Sequence, residues 1–320
     1  MTTTVVVTGA TGQDGTHLTE LLVAEGQRVI GIARSIPAER PRVGVELFAG
    51  DVLDREFLDR LVAENQPSQI YHFAGQSSVG ASFQDPEGTF RSVALGTQNV
   101  LEAARRAAVR PRVLVASSGE VFGNLGDQAA REGMPYRPLS PYAGAKAAAS
   151  DIAAGYRSAF GLHVAIAYFY NHESPIRPPR FVTRKIVRAA CRIARGLERR
   201  LELGDTSVVR DWGWAPEYVE AARRMLALDA PEDFVIATGQ SCALADFVDA
   251  VFSSLGLAAK DHVVTDASLL RPSEVPVMRA DPSRAAEQLD WRATLGARDV
   301  ARRMVEAELR ELELELSEAR

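Results

Sequence analysis

Through the first half of this chain, short apolar runs alternate with longer stretches of helical spacing. Val5-Val6-Val7, Arg28 to Ala33, Glu46 to Ala49, Gln69 to Phe73 and Arg112 to Ala116 read as strands. Gly15 to Glu25 places Leu18, Leu21, Leu22 and Val23 at near-helical spacing. Further helices are predicted from Asp54, as N-cap, to about Asn65, from about Glu87 to Ala108, and from Pro141 to Phe160. A strand follows from Leu162 to Phe169. Strands and helices alternating at these lengths predict crossover units and a parallel sheet covered on both faces. After Asn171 the pattern loosens. Pro175, Pro178 and Pro179 punctuate a loop, Phe181 to Arg195 returns to helical spacing, and Phe234 to Ala237 is a candidate to rejoin the main sheet. The organisation expected is one unit over 1–170, a smaller lobe over 171–308 with some elements returning to the sheet, and a charged helical tail over 309–320. The Leu-Glu alternation of that tail is expected to fray.

Composition narrows the function classes. The chain has 320 residues, 46% hydrophobic and 25% charged, which suits a folded domain with a sizeable core. A net charge of −5 supports neither a nucleic-acid partner nor an anionic membrane, so any anion site must be built locally. Cys191 and Cys242 lie far apart without metal-ligand spacing, so no metal is expected. They read as reduced thiols in a cytoplasmic protein. The opening Met1-Thr-Thr-Thr-Val-Val-Val reads as a strand rather than a signal peptide, and no stretch approaches membrane-spanning length.

Candidate chemistry begins at Thr8-Gly9-Ala10-Thr11-Gly12-Gln13-Asp14-Gly15. Its glycines follow G-x-x-G-x-x-G between a predicted strand and helix. Glycine lets the backbone turn tightly and approach a pyrophosphate, while the helix offers unpaired N–H groups and the positive end of its dipole. The next strand ends in Ala33-Arg34-Ser35. An acid there would accept from the NAD ribose; Arg34 suits the phosphate of NADP instead. Asp51 and Val52 would hold the adenine edge, and Phe73-Ala74-Gly75-Gln76 would line the cofactor, all at C-terminal ends of strands.

Tyr142 and Lys146 form Tyr-x-x-x-Lys near the start of a helix, on one face. A tyrosine of ordinary pKa, about 10, is a poor base at neutral pH. The expectation is that the ammonium and a cationic nicotinamide lower it, so that Tyr142 takes a proton from a sugar hydroxyl. One strand upstream lies Ser117-Ser118-Gly119-Glu120. A serine hydroxyl there shares the hydrogen bond to the reacting oxygen. Glu120 is the informative residue: simple dehydrogenation needs no carboxylate, whereas removing water across C5–C6 of a 4-keto sugar needs a base and an acid.

These residues resemble the GDP-mannose 4,6-dehydratase family of the extended short-chain dehydrogenases/reductases. The resemblance spans nearly the whole chain and rests most heavily on Asn171-His172-Glu173-Ser174-Pro175 and Phe181-Val182-Thr183-Arg184-Lys185. It is also carried by Thr8 to Gly15, Ser82-Phe83, Tyr142 to Lys146, Arg210-Asp211-Trp212-Gly213, Pro231 to Gly239 and Arg271-Pro272-Ser273-Glu274. It implies a Rossmann-type doubly wound parallel sheet with a smaller C-terminal substrate-binding lobe. It also implies an NADP-dependent enzyme that oxidises C4 of a GDP-sugar, eliminates water across C5 and C6, and returns the hydride to C6. Ser118, Glu120, Tyr142 and Lys146 would carry catalysis. His172 and Arg177 would contact NADP. Ser78, Ser82, Asn171, Val182, Lys185, Arg210, Arg271 and Glu274 would bind substrate, with Glu274 able to accept from guanine or ribose.

The chain departs from the family at three places. Ser118 and Gly119 stand where the family has Thr and Ser, and Ser-Ser-Gly-acid-Val resembles the GDP-4-keto-6-deoxymannose reductases. The segment Ser35 to Glu46 is shorter than the family's arginine-rich loop, which predicts a homodimer rather than a tetramer. Pro178-Pro179 replaces Gly-Glu, which leaves a variant sugar such as a GDP-heptose open as substrate. A non-catalytic NADP-binding sensor is a further alternative, and the retention of both Tyr142 and Lys146 counts against it.

Overall fold

Three valines, buried on both faces, begin the central sheet, as a strand covered by helices on either side requires. In the computed structural model, residues 3–36 and 43–318 are described. The elements run β1 (Thr4–Thr8), α1 (Gln13–Ala24), β2 (Arg28–Ala33), β3 (Val45–Ala49), α2 (Arg55–Asn65) and β4 (Gln69–His72). Next come α3 (Val79–Gln84), α4 (Pro86–Phe90), α5 (Gly96–Arg106), β5 (Arg112–Ser118), α6 (Pro141–Phe160) and β6 (Val164–Phe169). Asp54 caps α2 by accepting from the Phe57 N–H at 3.0 Å. Ser140 caps α6 by accepting from the Ala143 N–H at 3.1 Å, with Pro141 in the first turn. That cap sets where Tyr142 leaves the helix.

The single helix expected over Glu87 to Ala108 is instead α4, a π-helical turn at Arg91–Leu95, and α5. Thr97 Oγ1 donates to the Val93 carbonyl at 2.7 Å, inside the widened turn. A periodicity count cannot see such a turn, because the apolar face continues through it.

The chain then forms β7 (Asn171–Glu173), α7 (Val182–Ala194), β8 (Leu201–Leu203), β9 (Val209–Trp214), α8 (Ala215–Ala227), β10 (Phe234–Ile236), β11 (Ser241–Ala243) and α9 (Leu244–Ser254). It closes with β12 (Val263–Thr265), α10 (Ser283–Gln288) and α11 (Ala297–Glu318). Among the described residues the main sheet is parallel, in the order β10-β6-β5-β4-β1-β2-β3. This is a Rossmann-type doubly wound sheet. Strand order reverses between β1 and β4, the switch point where ligands of such sheets bind. Helices α1 and α8 cover one face, and α2, α5 and α6 the other.

Beside the sheet, β7 and β11 flank β9, and β8 pairs with β12. None of these strands was expected from the pattern. All but β9 are three residues long, and Asn171-His172-Glu173 carries no apolar alternation. Helices α7, α9 and α11 pack together around Ile186, Phe247, Val251, Val300 and Met304.

The tail corrects the sequence reading. Helix α11 runs unbroken to Glu318, with Leu312 buried and Leu309 and Leu316 packed on the same cluster. Buried Arg184 on α7 pairs with both Glu308 and Glu311 of α11. The Leu-Glu alternation is misleading because only the leucines facing α7 and α9 matter; Leu314 points out to solvent. Leu312→Ala should therefore cost about 2–5 kcal/mol in denaturant unfolding. A frayed tail would lose less than about 0.5 kcal/mol.

Candidate active site

The C-terminal ends of the main strands open into one cleft of about 1330 Å³. That exceeds the roughly 300–1,000 Å³ of a single small-molecule pocket and leaves room for two ligands side by side. At one end lie the glycine loop, Arg34 and Ser35 after β2, Asp51 and Val52 after β3, and Phe73 to Gln76 after β4. At the centre are Ser118, Glu120, Tyr142, Lys146, Asn171, His172 and Arg177. Ser78, Val182, Lys185, Arg210, Arg271 and Glu274 complete the wall. Ser82 is a correction: it is fully buried, its hydroxyl donates to the Val79 carbonyl at 2.6 Å, and it does not line the cleft. Residues 37–42, which make up most of the shortened segment after Arg34, lie outside the described residues.

Close packing shapes the dinucleotide end. Gly9 has φ +70°, and a Cβ there would sit 2.9 Å from the Ala74 nitrogen. A Cβ on Gly15 would meet the Gly9 carbonyl at 2.3 Å. Helix α1 begins at Gln13 with no side-chain cap on Gly12, which leaves its first N–H groups for an anion. Beneath the loop, His72 bonds Thr8 Oγ1 at 2.7 Å and Thr97 Oγ1 at 3.1 Å. Burial pushes His72 down to about 3, so it stays neutral and joins β4 to β1 without a charge. These residues fit a dinucleotide.

The loop is also stitched to β7. Gln13 Nε2 donates to the His172 carbonyl at 3.0 Å, and Ser174 donates to Gln13 Oε1 at 3.0 Å. Asp14 meets His172 Nε2 at 2.9 Å, while Nδ1 lies 2.7 Å from the Tyr170 carbonyl. Burial alone would raise Asp14, but the charge and hydrogen bond of His172 hold it at about 2. Burial likewise opposes protonation of His172, and Asp14 lifts it above its usual value. Both ring nitrogens being engaged, His172 offers the cleft a fixed ring face, backed by Tyr218 stacked 4.7 Å away. Arg177 pairs with Glu173 at 2.9 Å and donates to the His172 carbonyl at 2.9 Å.

At the centre, the end of β5 meets the first turns of α6. Ser118 Oγ caps the short 3₁₀ turn Gly119–Phe122 by accepting from the Glu120 N–H at 3.3 Å, and it lies close enough to the Tyr142 phenol to act on it. Lys146 Nζ donates to the Ala116 carbonyl at 2.6 Å and stands 6.0 Å from the Tyr142 ring centre. Burial pushes the phenol up to about 12; the nearby Ser118 hydroxyl works against this and Glu120 adds to it. Burial also draws Lys146 down to about 8. The Lys146 ammonium is turned toward the Ala116 carbonyl. Glu120 lies in the cleft wall, and burial lifts its carboxyl above the usual range against the opposing charges of Arg210 and Arg271.

The basic residues of the substrate end are held by the protein itself. Buried Arg210 donates to Glu274 at 2.5 Å and to the Val209 carbonyl at 2.8 Å. Arg271 pairs with Glu274 at 3.0 Å, and Lys185 donates to the Glu202 carbonyl at 2.6 Å. Both oxygens of Glu274 are thus engaged by arginines, which fix its position in the cleft wall. Sequence reasoning missed two supports. Glu173, four residues before Arg177, accepts from Thr183 Oγ1 at 2.6 Å. Ser150, four residues after Lys146, bonds Ser117 at 2.7 Å. Their i,i+4 spacing was the available signal.

Comparison with known proteins agrees with this arrangement. GDP-mannose 4,6 dehydratase 1 of Arabidopsis thaliana is 38% identical over 322 residues, covering 95% of this chain and 89% of the relative. The Thermus thermophilus UDP-glucose 4-epimerase, solved in complex with NAD, superposes with a TM-score of 0.85 at 28% identity, covering 95% of this chain and 98% of that one. RMD from Pseudomonas aeruginosa, complexed with NADPH, gives 0.81 at 25% identity, covering 97% and 100%. The family model described as GDP-mannose 4,6 dehydratase matches residues 6–304, and the chain belongs to that family.

Proposed function

We propose that this enzyme is a hydro-lyase that converts GDP-mannose to its 4-keto-6-deoxy derivative. The observation that carries the reading is the Glu120 carboxyl, set in the wall of the cleft that Tyr142 and Lys146 share and raised in pKa by burial. A bound nicotinamide supplies reversible hydride storage, from C4 and back to C6. Tyr142 takes the C4 hydroxyl proton, with Ser118 beside the same phenol. A phenol near 12 needs added positive charge to do this at neutral pH, and the cofactor site beside Lys146 is where such charge would lie. Glu120 then removes the C5 proton, acidified by the C4 ketone, and passes it to the C6 hydroxyl. The C5–H and C6–O bonds break, C5=C6 forms and water leaves. Return of hydride to C6 must be matched by a proton at C5. The balance closes if the proton taken from O4 reaches C5 through Glu120.

Arg34 and Ser35 support NADP over NAD. They line the cleft at the end of β2, where none of Ala33, Arg34, Ser35 and Ile36 offers a carboxylate to a ribose. The reading also includes a homodimer. Phe90 and Leu95 are 52% and 37% exposed on the α4–α6 side, large apolar groups that a second copy would cover. A cytoplasmic setting suits the free thiols Cys191 and Cys242; no helix among the described residues is long and apolar enough to cross a membrane. The division expected from sequence, 1–170 for NADP and 171–308 for substrate, belongs to the same proposal.

Incubation with GDP-mannose, followed by mass spectrometry, should show loss of one water with no net change in NADPH. Stoichiometric NADPH consumption on a 4-keto substrate would mark a reductase instead. Glu120→Gln should lower turnover by about 10²–10⁴-fold while leaving cofactor affinity intact. Because Glu120 must ionise to take the C5 proton, kcat should fall as pH drops through a value above the ordinary 4.5 of a glutamate. Arg34→Ala should weaken NADP binding about 10–100-fold and leave NAD binding nearly unchanged, read by titration calorimetry. Sedimentation should report a dimer that Phe90→Glu with Leu95→Glu converts to monomer; a monomeric parent protein would end that part of the reading.

A further inference from the structure

The substrate end of the cleft carries an apolar wall and one uncommitted carboxylate. The Asp266 N–H donates to the Leu203 carbonyl at 2.8 Å and β12 runs beside β8, so residues 267–271 fold back over Gly204-Asp205. Gly204 lies close enough that a Cβ there would stand 3.0 Å from the Leu269 carbonyl. Leu269 and Leu270 line the cleft yet remain 44% and 54% exposed, which leaves apolar surface for a flat ring to cover. On the same wall, Asp205 Oδ1 accepts from the N–H and the hydroxyl of Ser207 at 2.8 and 2.6 Å. That turn fixes the side chain, and Oδ2 has no partner among the described residues. The other carboxylates of this half are engaged: Glu173 by Arg177 and Thr183, and Glu274 by Arg210 and Arg271. Glu120 belongs to the reacting centre. Asp205 and Arg210 line the same cleft, which places the carboxylate on the side of the expected diphosphate grip.

We propose that Asp205 selects the nucleobase: Oδ2 accepts from the N1–H and N2–H of a guanine whose ring lies against Leu269 and Leu270. This assignment rests on the GDP-sugar reading above and names the group that enforces it. A carboxylate only accepts hydrogen bonds. Guanine presents two adjacent N–H donors on its pairing edge. Uracil, cytosine and adenine set an acceptor beside their donor, which a carboxylate repels. A site built to bond a donor pair discriminates strongly against analogues lacking one donor.

The test is equilibrium binding of GDP, IDP and UDP to the full-length protein and to Asp205→Asn. Inosine lacks only the 2-amino group, and asparagine retains an oxygen for the Ser207 turn. The parent protein should bind GDP at least about tenfold tighter than IDP, as expected for a charge-assisted bond, and UDP more weakly still. Asp205→Asn should bring GDP and IDP to within about twofold of each other, and raise KM for GDP-mannose about tenfold with kcat little changed. Equal affinity of the parent protein for GDP and IDP, or an unchanged GDP preference in Asp205→Asn, would overturn the assignment. Failure to dehydrate GDP-mannose with the GDP preference intact and dependent on Asp205 would overturn the lyase reading alone.

Discussion

A single hydrogen bond, from the Lys146 ammonium to the Ala116 carbonyl, ties helix α6 to the end of β5. At 2.6 Å and out of water it is a charge-assisted bond whose loss would strand a buried cation. It sets the register between two segments far apart in sequence. With it in place, the Tyr142 phenol meets Ser118, and the turn that carries Glu120 faces the same space. The Ser140 cap and the Ser117–Ser150 bond hold the same junction from either side.

Around that junction, the cleft prepares its charges in advance. Lys146 and Lys185 are oriented by backbone carbonyls, Arg210 by Glu274 and Val209, Arg177 by Glu173, and His172 by Asp14. Each partner fixes a side chain that would otherwise lose rotamer freedom when a ligand arrives. The same engagements limit what each group offers. A guanidinium already bonded through two nitrogens supplies field and one remaining edge. Tyr142 and Glu120, the proposed catalytic groups, line the same cleft, and burial holds both toward their protonated forms. The protein thus sets a high threshold for deprotonation, which positive charge at the cofactor site is positioned to lower.

Much of this was legible beforehand for a physical reason. Val5 to Val7, Arg28 to Ala33 and Arg112 to Ala116 read as strands because parallel strands covered on both faces need continuous apolar runs. The glycine loop was readable because backbone crowding at Gly9 and Gly15 admits no side chain. Tyr142 and Lys146 were readable because one helix carries both. Ser82 was misread: its helix starts at the cleft with Ser78, but the Ser82 hydroxyl turns back to its own helix. The tail was misread because its partners on α7 and α9 lie far away in sequence.

The sequence by itself therefore determined the strands of the main sheet, the glycine loop and the candidate reacting groups, since each depends on residues near one another along the chain. Tertiary structure alone decided their electrostatic state. Whether Lys146 faces Tyr142 or a carbonyl, whether Glu274 is free or shared, and whether Asp205 keeps an open oxygen all depend on contacts between distant segments. Charge interactions and desolvation act through space, and linear spacing carries no record of them.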